Sequence, residues 1–201
     1  MVNYCTLKRL TPDGLPAVAE LDMLCFGGLW TLAGYQRELE SPNSDLLVLV
    51  ERDRPDSIIG IGCVWSILEE AHITVLGIHP DYRQQGWGQA LLYGLLWVAW
   101  RRGLERATLE VRASNQAAQS LYQKFGFAVA GRRRHYYQDD REDALIFWLN
   151  DLHKSEFLQN LAHWQTQISD RLLASNCQIV IDWDSLSHPR TELDSEDALA
   201  N

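Results

Sequence analysis

Two groups of residues in this sequence have the types and spacing to do chemistry. The first is Glu110, near the end of a strand-like run, with Tyr122 on the apolar side of the helix-like run that follows. A carboxylate at the end of a strand can take a proton directly or through water. The second is the run Arg83-Gln84-Gln85-Gly86-Trp87-Gly88-Gln89, which leads into a long apolar stretch. Glycines let a backbone come close to a ligand, and the first N–H groups of a helix lack intrahelical partners. A loop of this kind entering a helix therefore suits an anion such as a phosphate. Each group also has a plainer reading. Glu110 could be an exposed strand glutamate paired with Arg112, Tyr122 a core tyrosine, and the loop a tight turn from strand to helix. A buried tyrosine hydroxyl still needs a partner, which a ligand atom can supply.

These residues need elements to position them. Residues 72–78 read as a strand that delivers the chain to the glycine loop. The helix that follows, about 86–102, is apolar on nearly every side, as a helix buried against a sheet is. Gly94 inside it costs roughly 1 kcal/mol relative to alanine, which points to close packing there. Residues 106–112 alternate, with Ala107, Leu109 and Val111 on one face and Thr108, Glu110 and Arg112 on the other. Ser114 or Asn115 caps the next helix, whose apolar face carries Ala118, Leu121, Tyr122 and Phe125. Upstream, a strand at 3–10 and helices ending at Gly27-Gly28 and at Ser41-Pro42 precede a hairpin of strands, 46–50 and 58–68. Downstream, strands at 127–130 and 144–149 are joined through a basic-aromatic run, 132–137. Hairpins followed by alternating strands and helices predict an α/β fold with a mixed sheet.

The whole chain sets further bounds. Its 201 residues are 46% apolar, enough for a substantial core. The net charge of −9 argues against a nucleic-acid-binding surface. Residues 151–201 hold nine acids and three bases, so the body is nearly balanced and the tail is acidic. The cysteines at 5, 25, 63 and 177 have no metal-ligand or redox spacing, which predicts reduced thiols, no metal and a cytoplasmic setting. No apolar run reaches the roughly 20 residues of a membrane span. After residue 150 the character changes: 152–174 has helical spacing, 177–183 could form a short strand, and 185–201 reads as a disordered acidic tail.

The loop pattern Arg-x-x-Gly-x-Gly resembles the acyl-CoA loop of the GNAT N-acetyltransferases. Residues 109–127, LEVRASNQAAQSLYQKFGF, and the runs RRHYY and REDA that follow resemble the RimI-type branch of that family, which acetylates the N-terminal alanine of small-subunit ribosomal protein number eighteen. The resemblance covers residues 1–150 in organisation. It implies a GNAT fold, a mixed twisted sheet flanked by helices with acetyl-CoA held where two parallel strands splay. It implies that Leu76, Gly77 and Ile78 bond the pantetheine arm through their backbone. Gln84, Gln85, Gly86, Trp87, Gly88 and Gln89 would line the pyrophosphate, and Asn115 would touch the cofactor further along. Glu110 matches the family's general base and Tyr122 its general acid, with direct transfer and no cysteine intermediate. The short loop Gln138-Asp139-Asp140 lies where the family places its peptide site.

The domain expectation is an acetyltransferase unit at 1–150, a helical and strand extension at 151–184, and the tail at 185–201. The expected partner is a protein N-terminus, with neither nucleic acid nor membrane. Two other functions fit the same residues: transfer to a small-molecule amine, or a non-catalytic domain that binds acyl-CoA as a sensor or scaffold. A β-branched side chain at Gly86 is expected to crowd the pyrophosphate.

Overall fold

A computed structural model describes residues 2–187. The chain forms β1 (Asn3–Arg9), α1 (Leu15–Phe26), α2 (Leu32–Glu40), β2 (Ser44–Glu51), β3 (Arg54–Ile67), β4 (Glu70–Ile78), α3 (Trp87–Arg101), β5 (Arg106–Arg112), α4 (Gln116–Lys124), β6 (Ala128–Arg133), β7 (Ala144–Leu149), α5 (Ser155–Leu173), β8 (Cys177–Ile181) and α6 (Trp183–Ser187). The strands make one sheet in the order β6-β7-β5-β4-β3-β2-β1-β8. It is mixed, as expected: β1 with β8 and β4 with β5 run parallel, and the other neighbours run antiparallel.

β2 is buried on both faces, so its residues alternate between two cores. Leu46 and Val48 join α1 and α2 on one face. Leu47 and Leu49 join α3, α4 and α5 on the other. This explains why α3 carries so little polar surface. One side of it lies on the sheet, where Gly94 and Gly62 let it approach closely. A Cβ on Gly94 would lie 2.7 Å from a Leu7 methyl, and one on Gly62 would lie 2.9 Å from a Leu95 methyl. α5 covers α3 from outside, burying Phe157, Leu161, Trp164, Ile168 and Leu172. Trp164 packs against Phe125, the residue that follows α4, with ring centroids 4.8 Å apart.

The C-terminal region is therefore joined to the body. β8 extends the sheet beyond β1, and the expected tail boundary at 185 falls inside α6. Leu186 is 2% exposed. Arg9 donates from its backbone N–H to Ser185 Oγ at 2.8 Å. Trp183 packs on Trp97, centroids 5.0 Å apart. Residues 185–187 thus read too polar in sequence because their one apolar side chain is buried by a distant strand and helix. The rest of the expected tail, 188–201, lies outside the described residues. Ending the chain at residue 182 removes Leu186 and Trp183 from these contacts. Burial of a Leu-sized side chain is worth about 2 kcal/mol, so a thermal melt of the truncated protein is expected about 5 °C lower. An unchanged melting temperature would show that α6 adds nothing.

Candidate active site

The site begins with a gap between β4 and β5. Their parallel pairing is confined to Glu70, Ala71 and His72 opposite Arg106, Ala107 and Thr108, although β4 runs on to Ile78 and β5 to Arg112. The pairing stops just before a bulge. On β3, Cys63 and Val64 are consecutive, yet their β4 partners are Val75 and Ile73, leaving Thr74 as the extra residue. A bulge bends its strand and increases the local twist, so β4 turns away from β5 and the two strands splay.

The register on the other edge of β4 decides which backbone groups enter the gap. His79 donates to Ile59 across the β3 ladder at 2.8 Å. Alternation of the antiparallel ladder then gives Gly77 and Val75 the bonded pairs with β3, and turns the N–H groups of Leu76 and Ile78 towards the splay. Of the three residues expected to hold a pantetheine arm, Leu76 and Ile78 therefore present N–H groups. Gly77 does not, because its backbone is committed to Ile61. Gly77 instead admits the ring of Phe26, which packs over it from α1; a Cβ there would lie 2.5 Å from the ring. The Ile78 carbonyl is also occupied, accepting from Arg83 Nε at 3.0 Å and from Cys25 Sγ at 3.4 Å. Burial pushes the Cys25 thiol up, which keeps it a protonated donor and a poor nucleophile.

At the end of β4 the chain enters the glycine loop. Gly86 has φ +112° and Gln84 φ +63°, so two of the loop residues lie in the left-handed region. Among the described residues, no protein acceptor takes the N–H groups of Gln84, Gln85, Gly86, Trp87 or Gly88. Together with the α3 dipole, such donors suit an anion. One expectation is narrowed here and one needs correction. The Trp87 side chain is 1% exposed and lies in the core, so only its N–H can reach a ligand. The Gln89 N–H is spent on the Gly86 carbonyl at 3.0 Å, because the first turn of α3 has already closed there. A Cβ on Gly88 would lie 3.5 Å from Leu121 and 3.9 Å from Ile78. The loop, the end of β4 and α4 thus meet at one point.

Tyr122 follows Leu121 on α4. It is 7% exposed and packs edge-on against Phe127 and obliquely against Phe147, with both centroids 6.0 Å away. Its hydroxyl has no hydrogen-bond partner among the described residues. Burial, with a smaller contribution from Tyr137, pushes its phenol up, so it keeps its proton at neutral pH. Glu110 lies on β5 beyond the point where the strands part. Its carboxylate pairs with Arg133 Nε at 3.1 Å and not with Arg112. Arg112 is taken by Asp139, Asp140 and Glu142 at 2.7, 2.9 and 3.1 Å, and its guanidinium lies 3.9 Å from the centre of the Tyr137 ring. Tyr137 in turn is within electrostatic reach of both Glu110 and Tyr122. The short 138–140 loop is thus tied to β5 through Arg112, whose guanidinium also faces the Tyr137 ring. Asn115 caps α4, its Oδ1 accepting from Ala118 N at 3.1 Å. That leaves only its amide nitrogen for a ligand.

Sequence reasoning missed Asp22. It is fully buried and accepts from Leu29 N at 2.6 Å, Trp30 N at 3.2 Å and the Tyr35 hydroxyl at 2.7 Å. It fixes the α1–α2 connection next to Phe26 and the splay. The signal was present: Asp22 falls on the stripe Leu15, Val18, Asp22, where an acid is costly unless paired. A cavity of about 600 Å³ lies elsewhere, walled by Glu38, Trp65 and Arg102 at the far end of β3. It holds none of the candidate residues, and the gap between β4 and β5 is the better ligand site because its free donors face it.

Comparison with known proteins places this geometry. Residues 15–127 match the model of the acetyltransferase (GNAT) family. A putative ribosomal protein bS18-alanine N-acetyltransferase of Bacillus subtilis is 34% identical over 150 residues, covering 74% of this chain and 97% of that protein. The ribosomal protein bS18-alanine N-acetyltransferase of Escherichia coli K12 is 32% identical over 146 residues, covering 72% and 96%. The crystal structure of the Escherichia coli ribosomal-protein-S18-alanine N-acetyltransferase superposes with a TM-score of 0.66 at 32% identity, over 73% of this chain and 94% of that one.

Proposed function

The chain belongs to the GNAT family of acetyltransferases, and we propose that its acceptor is the N-terminal α-amine of a protein beginning with alanine, a bS18-type ribosomal protein. The observation that carries this reading is the splay between β4 and β5, with N–H donors of β4 and the loop on one side and Glu110 of β5 beyond the point where the strands part. The names of the relatives point to the same acceptor. Acetyl-CoA, the acetyl donor of the family, supplies an activated thioester when bound. The residues present fit it. The N–H groups from Gln84 to Gly88 suit a pyrophosphate, and those of Leu76 and Ile78 suit the carbonyl groups of an extended arm.

In this reading Glu110 takes the proton that the ammonium must lose, directly or through water. Its partner Arg133 is 55% exposed at the side chain and can swing away. Tyr122, holding its proton and lacking a hydrogen-bond partner among the described residues, donates to the departing sulfur. A backbone N–H of β4 steadies negative charge on the acyl oxygen. The test is intact-mass analysis of small-subunit ribosomal proteins incubated with enzyme and acetyl-CoA. A single acetyl group on the bS18 protein, at its N-terminus, is expected. Transfer to a small amine with no modified ribosomal protein would favour a small-molecule acceptor instead.

A further inference from the structure

We propose that Arg171, in the last turn of α5, is a positioning residue for acetyl-CoA, acting by fixing the backbone of the loop that binds the pyrophosphate. The family model ends at Phe127, well before α5. Arg171 nevertheless reaches the loop, donating from a guanidinium nitrogen to the Gln84 carbonyl at 2.8 Å. Its stem lies over Gly86, where a Cβ would meet Arg171 Cγ at 3.1 Å and a Leu172 methyl at 3.3 Å. Gln85 is held from the same side, its Oε1 facing Cys177 Sγ at 3.6 Å, while its Nε2 donates to the Asp81 carbonyl at 3.1 Å.

The geometry gives these contacts a consequence. Gln84 is a non-glycine residue at φ +63°, a conformation that persists only where its surroundings enforce it. In a trans peptide the carbonyl of one residue and the N–H of the next point in opposite directions. Arg171, by holding the Gln84 carbonyl towards α5, turns the Gln85 N–H to the opposite side, towards the anion. The loop is thus preorganised from behind by an element outside the matched family core. Preorganised donors bind more tightly because the ordering cost is already met.

The proposal rests on the assignment of this loop to the pyrophosphate, and the test separates the two. CoA and pantetheine, which lacks the pyrophosphate, are titrated calorimetrically into wild type, R171M and R171K, with pantetheine measured by displacement. R171M keeps an apolar stem over Gly86 and loses the donor, and R171K keeps a cation that can reach the carbonyl. Loss of one charge-assisted hydrogen bond predicts CoA binding about tenfold weaker in R171M. Pantetheine binding is expected to be unchanged, and R171K to lie close to wild type. In turnover, the KM for acetyl-CoA rises by a similar factor while kcat holds. If R171M binds CoA as wild type does, or loses pantetheine equally, the positioning role is wrong. If wild type fails to distinguish CoA from pantetheine, the loop assignment itself falls.

Discussion

Replacing Tyr122 with phenylalanine is expected to lower turnover by roughly 10²–10⁴-fold, the usual cost of losing a positioned proton donor. The substitution keeps the ring contacts with Phe127 and Phe147 and removes only the hydroxyl. That hydroxyl bonds no protein group among the described residues, so its loss leaves no orphaned partner and folding should be unaffected. Burial holds the phenol protonated, so the acid form is present across the neutral range. The turnover loss should therefore not vary with pH below the phenol's ordinary range. Steady-state kinetics with saturating acetyl-CoA measures it. Turnover within a few-fold of wild type would make Tyr122 a core tyrosine and nothing more.

The second large effect is expected at Gly86. Gly86→Val places a β-branched residue at φ +112°, a conformation such residues essentially never adopt. Its side chain would also strike Arg171 and Leu172, so the collision is with α5 rather than with the pyrophosphate, as the sequence had suggested. Relief requires the loop to move, and two misdirected N–H donors to a charged group are enough for CoA affinity to fall about 100-fold. Calorimetric titration reads the affinity, and a thermal melt shows whether the rest of the chain stays folded. Unchanged affinity in a folded variant would remove this loop from the phosphate site.

The elements were legible because local rules decide them. β5 at Arg106–Arg112 alternates apolar and polar residues in sequence, β7 at Ala144–Leu149 is a short apolar run, and α4 follows its asparagine cap. Gly94 also announced close packing correctly. What could not be read depends on pairing between distant segments. The Thr74 bulge that opens the splay exists only in the register between β3 and β4. Alternation put Glu110 and Arg112 on one face and suggested that they pair. In the fold, three acids from the 138–142 region take Arg112, leaving Glu110 to Arg133. Gly77 and Gln89 matched the family motif, yet their donors are consumed by β3 and by α3. The all-round apolarity of α3 was visible, but the cover on its outer side, α5, follows from the tertiary fold alone. The same is true of Arg171, whose reach to the Gln84 carbonyl, 87 positions earlier, no local pattern marks.

The central claim is transfer to a free α-amine, and amine basicity makes it testable. An α-amine has a pKa of about 7.7–8.0, against about 10.4 for lysine, so at neutral pH roughly a tenth of α-amines but under about 0.1% of lysines are already neutral. A single glutamate acting through water suits the easier proton. The deciding measurement offers the enzyme two matched peptides with acetyl-CoA and locates the acetyl group by mass spectrometry. One peptide begins with a free alanine. The other has a blocked N-terminus and an internal lysine. Acetylation of the first at its α-amine, with the second untouched, is the predicted result. Modification of the blocked lysine peptide at an equal rate would contradict the α-amine assignment.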